Sequence, residues 1–272
     1  MSAMYLADYH THSNCSPDGR LTVSEMAKAA IDRGLHEICI TDHVDPFHWH
    51  DRSPCLDFDW AGLQAQYDAA QALYGDRITI KLGCELGDAP YNFANSEHLL
   101  ATAPELDFVI GSVHLAGESF DWLDLYFVKN GDDAYYHTMI ESYLDEMEKV
   151  ALWGKCSVLG HLTLPLRYIN ENYHRGLTFA AHMDHVAEIL RIAIENGIGI
   201  ECNINRGNEP LPGREILQLY RELGGEIITL GSDAHNAAYV GCAIAEGQEL
   251  LRECGFRYFT TFTKGQPEFR PL

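Results

Sequence analysis

The chain has 272 residues, of which 46% are hydrophobic, enough for one α/β barrel with a continuous core. Its 40 acidic residues outnumber 19 basic ones, for a formal charge of −21. Such a chain repels nucleic acid and anionic lipid unless bound cations reverse the local field, and no apolar window approaches the roughly 18 residues of a membrane span.

In chain order, residues 4–9 read as a first strand that runs out through Asp8-Tyr9-His10-Thr11-His12. Thr22, with Glu25 three residues later, marks a capping box for a helix over 23–33, which Gly34 closes. A strand over 37–41 ends in Thr41-Asp42-His43, and an insertion over 44–58 precedes a helix over 60–74. A strand over 78–84 leads to Gly83-Cys84-Glu85, and one over 108–111 to Gly111-Ser112-Val113-His114. A second insertion, 115–130, precedes a helix over 132–153, and a strand over 157–160 delivers Gly160-His161. A helix over 178–195, capped by Gly197, is followed by a strand over 199–203 carrying Glu201-Cys202-Asn203. After a helix over 213–222, a strand over 227–231 ends in Gly231-Ser232-Asp233-Ala234-His235. A helix over 243–253 and a short run over 258–262 close the set.

Short apolar runs alternating with amphipathic stretches predict βα units on a mainly parallel sheet, and about seven such units predict a TIM-barrel-like α/β barrel rather than an open sheet. No linker or repeat divides the chain, so a single domain over 1–272 is expected. Both insertions follow strands and carry aromatics and acids, which places them over the site. The eight cysteines include no C-x-x-C pair and several sit in apolar runs. With no basic, apolar leader in view, a reducing cytoplasm is the expected compartment.

In barrels of this kind the chemistry lies at the carboxyl ends of the strands. Nearly every strand here ends in a metal-type ligand. His10 and His12 are two apart, as are Asp233 and His235, and on an extended segment such pairs project to one side. Alone, either pair carries little; together with the other strand-end ligands they define a candidate metal site. His48 and His50 flank Trp49 in the first insertion and are candidates to touch substrate. His182 and His185 lie three apart on a polar helical stretch and read as a solvated face. His36, His98, His137 and His174 have no ligand partner at suitable spacing, and no cysteine spacing supports a zinc-thiolate site.

The strings Asp8-Tyr9-His10-Thr11-His12-Ser13, Ser16-Pro17-Asp18-Gly19 and Thr41-Asp42-His43 resemble the start of the polymerase-and-histidinol-phosphatase (PHP) superfamily. The likeness continues through Gly83-Cys84-Glu85, residues 107–114, Leu159-Gly160-His161-Leu162 and Gly231-Ser232-Asp233-Ala234-His235, and is greatest to the histidinol-phosphate phosphatases of that superfamily. The resemblance implies a distorted (β/α)7 barrel with a trinuclear site at the carboxyl ends of its strands. It further implies that His10, His12, Glu85 and Asp233 hold a first metal, that His114 and His161 hold a second with Glu85 bridging, and that Asp18, His43 and His235 hold a third. Family members carry Asp or His at the position of Asp18. Two to three divalent ions are therefore expected, and a mixed N/O donor set suits Zn, Mn or Fe without choosing among them.

A hydroxide held between two such ions is a competent nucleophile at neutral pH. Arg167, six residues after His161, and Arg206, after the sixth strand, are candidate phosphate contacts, because a planar guanidinium suits two-point binding. The resemblance points to the same two residues. Arg20 is a weaker third candidate. No general acid stands out; Asp88, near Glu85, is a candidate by position. Trp49, Phe120, Trp122 and Tyr126, over an acidic rim, suit a cationic amine on the leaving group. The expected activity is hydrolysis of histidinol phosphate, a step of histidine biosynthesis, with a small phosphorylated substrate and neither nucleic acid nor membrane as partner. The alternatives are a broad phosphatase, a nuclease, which would need a basic groove this chain lacks, and a non-catalytic metal-binding protein, which would tolerate lost ligands.

Overall fold

The structure, a computed structural model, describes residues 4–272. Seven parallel strand positions form the sheet: β1 (Ala7–Asp8), β2 (Glu37–Ile40), β4 (Thr79–Gly87), β5 (Phe108–Ser112), β6 (Val158–Leu159), β7 (Gly199–Asn203) and β8 (Ile228–Gly231), in that spatial order. The short β3 (His43–Val44) prolongs the line of β2 and pairs with β4 at Glu85 and Leu86. The sheet curls until β1 and β8 meet. Tyr9 N–H donates to the Leu230 carbonyl at 2.8 Å, and His12 N–H to the Ala234 carbonyl at 2.8 Å. The result is a nearly closed, distorted (β/α)7 barrel, as expected.

Helices wrap the outside. The helix α1 (Val23–Asp32) begins at the anticipated capping box, in which the Thr22 side chain accepts from Glu25 N–H and the Glu25 carboxylate accepts from Thr22 N–H. Next come α2 (Trp60–Tyr74), α3 (Phe93–Thr102) and the long α4 (Asp133–Trp153), which ends at Gly154 in the left-handed conformation that a helix stop favours. The series continues with α5 (Pro165–Tyr173), α6 (Met183–Glu195), α7 (Arg214–Glu222) and α8 (Ile244–Glu253). Of these, α3 and α5 were not anticipated. Among the described residues no helix is long and apolar enough to cross a membrane. All eight cysteines are free thiols, and four are buried.

Two buried apolar clusters hold the layers together. One joins β5 to β8 with α4, α6, α7 and α8, and the other joins β2 and β4 with α1, α2 and α3. Ile38, Ile110, Ile200 and Ile228 are wholly enclosed; burying each contributes about 1.5–3 kcal/mol relative to exposure. The run 258–262 is a strand, β9 (Tyr258–Thr263), but it stands outside the barrel and forms an antiparallel hairpin with β10 (Gln266–Pro271). This hairpin covers the amino-terminal mouth. Lys264 N–H bonds Asp107, just before β5, at 3.0 Å, and Ile228 N–H at the start of β8 bonds Thr260 Oγ1 at 3.1 Å. The opposite mouth is left free for chemistry.

Candidate metal centre

The strand ends bring all nine expected ligand residues to one rim. Glu85, near the end of β4, lies at the middle. Its Oε2 is 3.4 Å from His10 Nε2, 3.5 Å from His12 Nε2 and 2.9 Å from His43 Nδ1. Its Oε1 is 2.9 Å from His161 Nε2 and 3.4 Å from His114 Nε2. One carboxylate therefore faces two groups of imidazoles, one with each oxygen. Asp233 Oδ1 approaches His10, His12 and His235 at 3.8, 3.6 and 3.6 Å. The ring centroids of His43 and His235 lie 4.3 and 4.1 Å from that of His12 and 5.8 Å from each other. Asp18 sits on the outer lip with a side chain 59% exposed, 3.0 Å from His235 Nε2 and 3.8 Å from His43 Nε2.

The surroundings fix which nitrogen His10, His12 and His235 present. Ser16 Oγ donates its only hydrogen to Asp42 Oδ1 at 2.8 Å and accepts from His43 N–H at 3.0 Å, so its 3.1 Å contact with His12 requires a proton on His12 Nδ1. Glu201 Oε1 takes the Nδ1 proton of His10 at 2.7 Å, and the Asp233 carbonyl takes that of His235 at 3.1 Å. Each of these three rings consequently turns a bare Nε2 inward. His10 Nε2, His12 Nε2, His43 Nδ1, His235 Nε2 and Glu85 Oε2 are all buried without a properly aligned hydrogen-bond partner. Buried polar atoms are seldom left so. Donors of His10, His12 and Glu85 fall within 4.8 Å of one another, as do those of His43, Glu85 and His114, and those of His12, His43 and His235. This donor set fits divalent ions of the borderline type, and the orphaned atoms are what such ions would satisfy.

At His12 and at the carboxylates, electrostatics prepares the same state. Burial opposes ionisation of Glu85, but His10, His43 and His114 outweigh it and hold the carboxyl well below its usual range. Asp233 is likewise held well below, against burial, by Arg167 and the nearby imidazoles. Burial and the neighbouring His235 and His43 push His12 well below the ordinary imidazole value. At His10 burial pulls the same way, but the carboxylates of Glu201, Glu85 and Asp233 prevail and raise it well above. Ionised carboxylates and a bare imidazole are the forms a cation requires. Asp233 itself adopts a left-handed φ of 59°, a strain of about 1–3 kcal/mol that surrounding bonds must hold.

Arg167, on α5, has a side chain only 10% exposed. Its Nε donates to Asn205 Oδ1 at 2.7 Å, and its Nη2 donates to Asp233 Oδ2 at 2.7 Å and Asn203 Oδ1 at 3.4 Å. Nη1 takes no part in these bonds, and the residue lines the cavity above the rim. Arg206 is more open, at 37%, with its nearest carboxylate, Glu171, 3.9 Å away; it lines an adjoining cavity together with Asp18 and His235.

The cavity above the rim holds about 510 Å³. Trp49 and His50 from the first insertion line it, as do Asp124, Tyr126 and Phe127 from the second and Tyr168 from α5. Four expectations need correction. Phe120 packs on Tyr135 and Trp122 on Tyr91, so these two aromatics do not line the cavity. His48 is also absent from its wall. Asp88 is buried behind His114, accepting the backbone N–H groups of His114 and Leu115 at 2.9 and 3.1 Å, so it does not face a leaving group. His182 and His185 are not a solvated face: they bind Glu141 of α4, and His182 Nε2 contacts His137 Nδ1 at 2.8 Å. Asp8 and Asp42 are stitches rather than ligands, spent on Ser232 and Gly241 and on Ser13 and Ser16. The supports missed from sequence are Ser16 and Glu201, the latter also accepting His161 N–H at 2.8 Å. The phase of β7, with Glu201 and Asn203 both turned to the barrel interior, was the available signal.

A parallel barrel whose carboxyl rim gathers six imidazoles and three carboxylates is the architecture of an α/β-barrel metallohydrolase. The chain belongs to the PHP domain family, whose model matches residues 8–205. It is 29% identical over 263 residues to the histidinol-phosphatase of Lactococcus lactis, with 94% of each chain covered. It is 27% identical over 265 residues to a probable histidinol-phosphatase of Deinococcus radiodurans, covering 94% of this chain and 96% of that one. The crystal structure of the Lactococcus lactis histidinol phosphate phosphatase, complexed with zinc, L-histidinol and phosphate, superposes with a TM-score of 0.82 at 24% identity over 98% of this chain and all of that one. A putative histidinol phosphatase from Listeria monocytogenes gives a TM-score of 0.75 at 18% identity, over 88% of this chain and 99% of that one. The chain is thus a histidinol-phosphatase-like PHP phosphatase, a hydrolase.

Proposed function

We propose that the chain, as a single domain over residues 1–272, is a metal-dependent phosphomonoesterase that hydrolyses L-histidinol phosphate to L-histidinol and phosphate. The observation that carries the metal-dependent reading is the Glu85 carboxylate, whose two oxygens lie 2.9–3.5 Å from five imidazoles. His10, His12, Asp18, His43, Glu85, His114, His161, Asp233 and His235 would hold two to three ions, of Zn, Mn or Fe. Such ions supply positive charge against the phosphate and lower the pKa of water.

The protein's own groups do the rest. Arg167, clamped by Asn205, Asn203 and Asp233, would offer Nη1 to a phosphate oxygen, and Arg206 would approach from the outer side. The cavity wall supports an amine-bearing leaving group. Asp124, whose pKa burial raises, contributes a carboxyl group that would pair with a cation. Trp49, Tyr126 and Tyr168 give that cation aromatic faces. The names of the two bacterial relatives support the same substrate. Steady-state kinetics of metal-reconstituted protein tests the reading: kcat/KM for histidinol phosphate should exceed that for glycerol phosphate and other amine-free monoesters. Equal values across the panel would make it a broad phosphatase, and cleavage confined to dinucleotides would refute a monoesterase.

A further inference from the structure

Behind the metal rim lies a second set of buried polar atoms that the hydrolysis does not use. Asp45 follows β3 directly. Its Oδ2 accepts the indole N–H of Trp49 at 2.7 Å, while its Oδ1 is buried with no partner. Asp88, just beyond β4, spends Oδ1 on the backbone of His114 and Leu115, and its Oδ2 is also unpartnered, 3.4 Å from His114 Nδ1. His114 Nδ1 is the third orphan, and donor atoms of Asp45, Asp88 and His114 lie within 4.8 Å of one another. Gly87 makes room for the arrangement: a Cβ there would stand 2.2 Å from Asp45 Oδ1 and 3.2 Å from His114 Nδ1.

His114 turns its other nitrogen, Nε2, toward Glu85 at 3.4 Å. A proton on Nδ1, facing two carboxylates, leaves the Nε2 lone pair directed at the metal rim. We propose that Asp45 and Asp88 are positioning residues for His114, and that Asp45 ties this ligand to Trp49 in the cavity wall. Cation binding at His114 and seating of a ligand against the indole then favour each other, since coupling between two sites is reciprocal. The first insertion is in this way anchored to the metal rim by one carboxylate. The Arg52 guanidinium also packs on the indole, 4.8 Å over the Trp49 ring and 4.6 Å over Phe47.

This inference rests on the metal-centre reading, and its test needs no turnover. Chelator-stripped full-length protein is titrated with zinc against a chromophoric chelator while tryptophan emission is followed, with far-UV circular dichroism as the control for folding. Asp45→Asn should weaken one zinc equivalent by about 10–100-fold and leave the others unchanged. Gly87→Ala, which displaces the acid without removing it, should weaken the same equivalent. Trp49→Phe should weaken that equivalent a few-fold and abolish the zinc-dependent emission change of the wild-type chain. If Asp45→Asn and Gly87→Ala bind every equivalent as tightly as wild type, the positioning role is overturned. If Trp49→Phe leaves both affinity and emission response untouched, the tie to the cavity wall is overturned. A wild-type chain that takes up no zinc would sink the metal centre itself, and this inference with it.

Discussion

Two histidine-rich regions of this molecule use the same residue types to opposite ends. At the barrel mouth, His10, His12, His43, His114, His161 and His235 surround Glu85. On the outer wall, His182 and His185 at the start of α6 reach Glu141 and Glu148 of α4, with His137 alongside. In the outer group nitrogens are spent within the group: His185 bonds Glu141 at 2.9 Å and Glu148 at 3.1 Å, and His182 bonds Glu141 on one side and His137 on the other. At the mouth the inward nitrogens of His10, His12 and His235 are left bare by supports placed behind them. Proximity of His and Glu therefore does not identify a cation site. What separates the two is whether the donors already satisfy one another.

The contrast can be broken most sharply at the two central glutamates. Glu85→Ala should abolish turnover and release at least two ions, read by elemental analysis and phosphate release; normal kcat would show that the ions do not depend on a shared carboxylate. Glu141→Ala should leave turnover and metal content at wild-type levels. Chelation separates the regions next. If zinc at about 100 times its Kd stabilises the fold by about 2.7 kcal/mol, its removal should lower Tm by roughly 5–10 °C, and the same shift should persist in Glu141→Ala. A third comparison concerns phosphate. Arg167→Ala should reduce kcat/KM by about 10–150-fold for every monoester, the cost of a charged hydrogen bond of about 1.5–3 kcal/mol. Lys should rescue only partly, and the more exposed Arg206→Ala should cost less. An Arg167 effect confined to histidinol phosphate would mean that the residue reads the leaving group.

The smallest effect belongs to the outer clasp. Burial pulls the His185 pKa down, but Glu141 and Glu148 outweigh it and the net shift is upward. A raised folded-state pKa means that the stabilisation is fully present below the unfolded value of about 6.5 and is lost as pH rises through the folded value. Glu141, lowered by His182 and His185 against burial, adds the mirror term, which is lost on acidification. Between these limits His185→Gln should lower Tm by about 1–3 °C, as for a partly exposed ion pair. The difference should close as pH rises past the His185 titration. A constant difference across the range would assign the loss to packing.

Much of this was legible in the chain itself, and the misses share a cause. The barrel rhythm and the rim ligands could be read because strand ends are local: His10 and His12, or Asp233 and His235, need only their own extended backbone to share a face. The helix α3 buries only Ser96 and Leu99, too few for its period to show. For α5 the Pro at its first turn was the available signal. His182 and His185 looked solvated because their partners lie on α4, about forty residues earlier in the chain. Asp88 beside Glu85 suggested an acid facing substrate, but its left-handed φ of 48° turns the chain so that the carboxylate reaches behind His114. Phe120 and Tyr126 are nearly neighbours, and only the fold of the second insertion sends one to the core and the other to the cavity.

The seam where β1 meets β8 sets an order of events in time. His10 and His12 leave the ribosome more than two hundred residues before Asp233 and His235, yet all four face one another across that seam. Joining segments so far apart is the slowest kind of contact to make. The rim is therefore among the last parts of the molecule to assemble, and a nascent chain lacking β8 has only part of the donor set. Loading of the full donor set would then follow synthesis of β8 rather than guide it. Zinc uptake during refolding should accordingly lag behind the recovery of helical signal, making the ion a clock for closure of the barrel.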